Sequence, residues 1–124
     1  MVEVTTISDK KFFINPSNLA FAKPTPSGES ELVLKEPIPK PGDTSRLGQR
    51  LRVEEGPEKL GGDLIKAEDL ETEQYYFLNP DAILSSYPVK GGFRLWLSAK
   101  LNAGGPGRSS WLVVKENDAL SEVL

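Results

Sequence analysis

Few residues of this chain combine a reactive type with a spacing that could support chemistry. The chain has no cysteine and no histidine, which excludes thiol chemistry, disulfides, Cys/His zinc sites and histidine acid–base catalysis. Carboxylates, Lys, Tyr, Ser and Thr remain, but no paired carboxylates or nucleophile–base set can be placed together. Glu68, Asp69, Glu71 and Glu73 lack calcium-loop spacing and indicate a solvated acidic connection. The sequence therefore predicts no catalytic residue, no metal and no cofactor, and an enzyme is the least favoured of three hypotheses.

The glycine-rich stretch at 104–109, Gly-Gly-Pro-Gly-Arg-Ser, has a superficial similarity to a phosphate-binding loop. It lacks the Gly-Lys-Ser/Thr ending of such loops, and no helix is expected to begin after it. We therefore interpret it as part of a long surface loop over 99–110.

The clearest charge contrast lies in the middle of the chain. Residues 35–52 hold five basic and two acidic side chains, a net charge of +3, whereas residues 53–73 hold two basic and eight acidic ones, a net charge of −6. A solvated surface is the common explanation of such a segment, and contact with phosphate or an acidic partner is the alternative. The candidate partner-binding residues in this arm and in the 99–110 loop are Lys35, Lys40, Arg46, Arg50, Arg52, Lys100 and Arg108.

The aromatic residues are concentrated in the second half of the chain. Tyr75, Tyr76 and Phe77 are consecutive, and neighbouring strand residues point to opposite faces, so they cannot all enter one core. We expect Phe77 and Trp111 in the core. Tyr75 and Trp96 are the aromatic candidates for an interface, where Tyr and Trp are enriched.

The elements that must position these residues are organised around a stretch that occurs twice. The stretches are 11–19 and 75–83. From their second residue on, both read aromatic, aromatic, aliphatic, Asn-Pro, two small or polar residues and aliphatic, and Pro24 and Pro88 follow at the same offset. This pattern predicts an internal duplication with one copy at 1–62 and the other at 63–124. A lone unit of about 60 residues buries too little surface to be comfortably stable, so we expect the copies to share one core.

Alternating apolar residues and frequent turn residues predict an all-β fold with four or five antiparallel strands in each copy. The predicted strands cover 2–6, 11–14, 19–22, 31–34 and 49–54, then 64–67, 74–78, 83–86, 93–98 and 111–115. Residues 35–45 are too rich in Pro and Gly for a regular element and predict an extended arm or long loop. A short helix is expected at 117–124. The whole is predicted to be a pseudo-twofold barrel or sandwich.

Each half also resembles the small flagellar-operon proteins of the FlbD family. The resemblance rests in the first half on Val2-Glu3-Val4-Thr5, Phe13-Ile14-Asn15-Pro16, Leu19, Pro24 and Val53-Glu54, and in the second half on Phe77-Leu78-Asn79-Pro80, Ile83, Pro88 and Val114-Lys115-Glu116. The chain departs from that family in carrying the unit twice and in its long loops before the last strands. The resemblance implies a small, non-enzymatic, β-rich protein, and it carries over no catalytic residue.

Two functional hypotheses follow from these patterns. The first is a non-catalytic structural, assembly or adaptor protein that docks through two long loops to a larger complex, either a cellular machine or a virus particle. The alternative is a regulatory module that binds nucleic acid through the arm at 35–52, although a net charge of −3 and a pI of about 5.0 contrast with the basic footprint of most nucleic-acid binders. No apolar run approaches the roughly 20 residues of a membrane span. We therefore expect no membrane insertion and a cytoplasmic or virion location, and the sequence leaves a homo-oligomer open.

Overall fold

A computed structural model describes residues 1–99 and 111–124 of the chain. The described residues form mainly antiparallel strands and one short helix. The strands are β1 (Val2–Thr5), β2 (Lys11–Ile14), β3 (Leu19–Pro24), β4 (Ser30–Lys40), β5 (Asp43–Val53), β6 (Ile65–Glu68), β7 (Tyr75–Leu78), β8 (Ile83–Val89), β9 (Gly92–Leu97) and β10 (Trp111–Lys115). The helix α1 (Asp118–Val123) follows β10. The predicted all-β content and terminal helix are confirmed.

The strands form three antiparallel sheets, none of which closes on itself. The largest has the order β5-β4-β3-β7-β6, and β1-β2 and β10-β9-β8 form the other two. Two isolated bridges link these sheets, one between Thr6 and Val53 and one between Asp69 and Val114. The five-stranded sheet contains strands of both halves, because β3 of the first half pairs with β7 of the second.

The two Asn-Pro turns have nearly identical local structure. Asn15 (φ −82°, ψ 117°) and Asn79 (φ −85°, ψ 115°) each accept a hydrogen bond on the side-chain oxygen from the backbone N–H two residues later. A 3-10 turn follows in both cases, and the next strand carries an irregularity between Leu19 and Phe21 in β3 and between Ile83 and Ser85 in β8. The Asn side chain supplies the acceptor that closes the turn, and Pro fixes φ at its first position.

The hydrophobic core consists of two clusters rather than the single shared core that the sequence predicts. The first contains Val4, Ile14, Leu19, Ala22, Leu32, Leu34, Leu51, Val53 and Leu60. The second contains Ala20, Phe21, Val33, Ala67, Tyr76, Leu78, Ala82, Leu95, Leu97, Val114 and Leu120. The clusters separate because residues of β3 alternate between the two faces of the central sheet, so Ala22 enters the first cluster and Phe21 the second. Each cluster is completed by side chains of the other half.

The contact of β3 with β7, here called the joint, is what unites the two halves. Phe21 pairs with Leu78 and Ala22 with Phe77, and the Phe21 and Tyr76 rings meet edge to face at 5.6 Å. Phe77 packs against the first cluster, as expected for a core aromatic. A twofold relation between the halves would require β2 to pair with β8 in the same way. Instead, within the part of the chain that the structure describes, β2 pairs with β1 and β8 with β9, and β2 and β8 do not pair with each other.

The predicted irregular arm at 35–45 is wrong for most of that range, because β4 and β5 extend through it. Beyond Leu34, β4 no longer pairs with β3 and continues only beside β5, with Ile38 opposite Gly48 and Pro39 opposite Leu47. Proline is excluded where a strand must donate a hydrogen bond. Pro37 and Pro39 lie in the part of β4 that has β5 as its one remaining partner strand. The prolines therefore interrupt fewer ladder hydrogen bonds there than they would in the central sheet.

Candidate functional site

The part of β4 and β5 that extends past β3, residues 35–48, is here called the ribbon. Gly42 forms its tip with a φ of +87°, a left-handed conformation that glycine adopts without steric cost. A Cβ atom at Gly42 would meet the side chain of Lys10 at 3.8 Å, so the tip lies beside the turn between β1 and β2. The tip of the ribbon therefore lies against the first hairpin of its own half.

Polar side chains anchor the base of the ribbon, where the pairing between β4 and β5 shifts register. Gln49, which is buried, donates from its side-chain amide to the carbonyls of Leu34 (2.8 Å) and Lys35 (3.3 Å). The Asn18 side chain accepts from the Glu36 N–H at 3.0 Å and donates to the Glu36 carbonyl at 3.1 Å. These side chains replace the ladder bonds that the register shift removes, which holds the ribbon to the body.

The ribbon carries three basic and two acidic side chains, a net charge of +1, and an exposed leucine. Lys40 and Arg46 are exposed, Lys35 is half-buried, and Leu47 is 58% exposed. Arg46 lies 3.6 Å from Asp43 in an exposed pair, and such pairs contribute little stability. The ribbon thus presents cations around an apolar side chain, a combination suited to contact with an acidic, partly apolar protein surface.

Arg50 and Arg52 lie on β5 where it belongs to the central sheet. Arg50 is exposed and its Nη1 atom lies 3.2 Å from Oε1 of Glu31. Arg52 and Tyr75 line one open cleft of about 590 Å³ between the β3–β4 and β6–β7 connections. Glu29, Glu31, Glu73 and Lys23 also line it. Because both charge signs face this cleft, it does not continue the basic surface of the ribbon.

Both predicted partner-binding aromatics make contacts within the chain: Tyr75 with a cation and Trp96 with another ring. The Lys66 ammonium lies 4.5 Å from the Tyr75 ring centroid, at a distance typical of cation–π contacts. Trp96 packs against Trp111 with ring centroids 4.4 Å apart, and the Arg94 guanidinium lies 4.3 Å from the Trp111 centroid. The sequence predicts Trp111 in the core, which is wrong. Leu112 and Val114 face the core from one side of β10. Trp111 lies on the opposite side and is half-buried.

The structure thus distributes the sequence-predicted residues over three places. Lys35, Lys40 and Arg46 lie on the ribbon, Arg52 and Tyr75 share the cleft, and Trp96 lies on the outer face of β9. Arg50 lies between the ribbon and the cleft, while Lys100, Arg108 and the loop predicted at 99–110 fall, except for Ala99, outside the described residues. Sequence reasoning missed Leu47, Arg94 and Tyr87, whose ring centroid lies 6.1 Å from that of Trp111. The sequence offered two indications. Leu47 is an apolar residue among the charged residues of 43–50, and Arg94 lies two residues before Trp96 and therefore on the same face of its strand.

Asp69 and Tyr76 form the most strongly perturbed pair of titratable groups in the described part of the chain. The Tyr76 hydroxyl donates to Oδ2 of Asp69 at 3.1 Å, and burial together with this bond raises the pKa of Tyr76 to about 12. Burial alone would raise the pKa of Asp69, but hydrogen bonds from the Glu71 and Thr72 N–H groups and from Tyr76 outweigh it and lower the pKa. The Asp69 side chain thereby closes the acidic connection between β6 and β7, which is a structural role.

Among residues 1–99 and 111–124, no group of three or more acidic, Cys or His side chains could hold a metal ion. Within the same residues, no helix has the length and apolar character needed to cross a membrane.

No family model, no curated protein and no solved structure matches this chain. The resemblance of each half to the FlbD family therefore stays a prediction.

Proposed function

We propose that this chain is a non-catalytic assembly or adaptor protein that docks onto a larger protein complex, cellular or viral, through the ribbon. One observation carries the proposal: β4 and β5 continue past β3 as a two-stranded extension with exposed Lys40, Arg46 and Leu47. The pairing with β3 ends at Leu34, so the rest of the ribbon lies outside the central sheet. An ordered, basic extension that the central sheet does not require is better explained by contact with a partner.

The two halves are proposed to be copies of one structural unit. Support comes from the equivalent Asn-Pro turns, from the irregularities that follow them, and from the bridges Thr6–Val53 and Asp69–Val114, which join the first hairpin of each half to its last strand. In this proposal, a unit that cannot bury enough surface alone is stabilised by a second copy.

The docking proposal is tested by reversing charge on the ribbon. The double variant Lys40→Glu/Arg46→Glu changes two exposed side chains, and Lys90→Glu/Lys115→Glu is a matched control on exposed sites outside the ribbon. Tagged proteins are followed by gradient sedimentation in extract of the native source. We expect the wild type and the control to migrate with a large complex and the ribbon variant to migrate as free protein. Identical migration of all three would overturn the proposal.

Nucleic-acid binding through residues 35–52 is the second candidate, and the exposed cations of the ribbon are the observation that favours it. Titration of labelled single- and double-stranded DNA and RNA at low and moderate salt tests it, because binding to phosphates must weaken steeply with salt. Salt-dependent binding that the ribbon variant abolishes would favour this candidate over the adaptor function. Absence of binding at low salt would eliminate it.

A further inference from the structure

The joint inside the chain is made by two different edges. The first half contributes the edge of β3, the strand after its Asn-Pro turn, and the second half contributes the edge of β7, the strand before its own Asn-Pro turn. A contact between two different edges is heterologous. It leaves one edge of each half without a partner from the other half. These are β2, the counterpart of β7, and β8, the counterpart of β3.

Among residues 1–99 and 111–124, no strand pairs with the outer edge of β2 or of β8. Each of these two strands has one described partner strand, β1 and β9 respectively. An uncovered edge presents unpaired N–H and C=O groups and is a template for pairing with another chain.

Apolar side chains that the joint covers have exposed counterparts on these open edges. Phe77 packs against the first core cluster, whereas Phe13, 64 positions earlier, is 61% exposed. Ala20 is completely buried, whereas Leu84, 64 positions later, is 63% exposed. An uncovered edge strand that also exposes large apolar side chains favours pairing with another chain.

The two Asn side chains show the same contrast. In the joint, the Asn79 N–H donates to the Ala20 carbonyl at 3.0 Å, and its side-chain amide donates to the Leu19 carbonyl at 2.8 Å. Asn15 is exposed, and among the described residues its side chain only accepts hydrogen bonds, both from Ser17. The amide donor that secures the joint at Asn79 is therefore available at Asn15.

We propose that copies of this chain associate head to tail, with the β2 edge of one copy pairing with the β8 edge of the next as β7 pairs with β3 inside the chain. Ser85 and Ser86 of one copy then lie opposite Ile14 and Phe13 of the next. The Asn15 amide of the second copy donates to the Ile83 carbonyl of the first. The proposal rests on the equivalence of the two halves. Repetition of this contact produces an open chain of copies, or a ring if the rotation closes.

The contact between copies is weaker than the internal joint. Ser85 stands where β3 has Phe21, so the edge-to-face contact of Phe21 with Tyr76 has no counterpart between copies. The internal joint also benefits from the covalent connection of the halves, which raises their effective concentration. Association between separate copies therefore depends on protein concentration.

Sedimentation velocity of the full chain over a wide concentration range tests the proposal. Phe13→Glu blocks the β2 edge, Leu84→Glu blocks the β8 edge, and Leu47→Glu on the ribbon is a control of similar exposure. We expect the mean mass of the wild type and of Leu47→Glu to rise with concentration, and each edge variant to stay monomeric. Circular dichroism of the variants verifies that these exposed substitutions leave the fold intact.

An equimolar mixture of Phe13→Glu and Leu84→Glu gives the decisive result. The first variant keeps a working β8 edge and the second a working β2 edge, so the mixture is expected to form dimers and nothing larger. A wild type that stays monomeric at all concentrations would overturn the proposal. So would a mixture that stays monomeric although the wild type associates, because the intact β8 edge of one variant and the intact β2 edge of the other would then have failed to pair. Neither outcome affects the docking test, which depends on Lys40 and Arg46.

Discussion

Replacing Asn79 with alanine tests whether the joint holds the two halves together. Asn79 is 7% exposed. Its side-chain oxygen accepts from the Asp81 N–H at 3.0 Å, and its side-chain amide donates to the Leu19 carbonyl at 2.8 Å. Loss of the turn bond costs about 1 kcal/mol by analogy with helix caps. Loss of the buried bond to Leu19 adds about 1–2 kcal/mol. We expect Asn79→Ala to lower the free energy of unfolding by about 2–3 kcal/mol.

Asn15→Ala is the matched control, because Asn15 closes the same turn but is exposed and, among residues 1–99 and 111–124, makes no bond to the other half. Its expected cost is about 0.5–1 kcal/mol. Urea unfolding of both variants, followed by circular dichroism and tryptophan fluorescence, measures the difference. At this chain length, 1 kcal/mol corresponds to about 3–5 °C in Tm. Equal losses for the two variants would refute the assignment of the joint to Asn79.

Three further predictions concern stability. The pKa of Tyr76 is raised from 10.0 to about 12 in the folded protein, so its contribution to stability is complete below pH 10 and is lost as the pH rises toward 12. In urea unfolding between pH 9 and 11.5, the free energy of unfolding should therefore decline less for Tyr76→Phe than for the wild type. Gly92→Ala places a Cβ atom against the Val114 carbonyl and should lower the free energy of unfolding by more than about 3 kcal/mol. Gly28→Ala, where φ is +87° and the space is open, should lower it by about 1–2 kcal/mol. Equal decreases in Tm for the two variants would be inconsistent with this difference. Gln49→Ala should accelerate hydrogen exchange in residues 35–40 because the base of the ribbon loses its anchor; unchanged exchange would contradict that role.

Local patterns in the sequence were sufficient for most strands. Each Asn-Pro pair ends one strand and starts the next, and the predicted hairpins at 2–14 and 83–98 have the observed antiparallel pairing. The predicted strand at 31–34 is too short because proline was interpreted only as a strand breaker. Its tolerance at Pro37 and Pro39 depends on where β3 ends, which is a tertiary fact.

The site was less predictable for the same reason. Alternation along β10 predicts two faces but does not determine which one is buried, and Trp111 was assigned to the wrong face. The pairing of β3 with β7 joins residues far apart in sequence, and no local pattern specifies it. Phe13 is exposed whereas its counterpart Phe77 is half-buried. This difference can be seen only once the pairing of the strands is known.

Docking of the ribbon onto a partner protein is tested most directly by site-specific photo-crosslinking in the native source. A photoreactive residue replaces Leu47 on the ribbon in one variant and Val123 in α1 in the other; both sites are exposed. We expect a discrete adduct with one protein from position 47 and no such adduct from position 123. No adduct at position 47, or the same adducts from both positions, would contradict the claim.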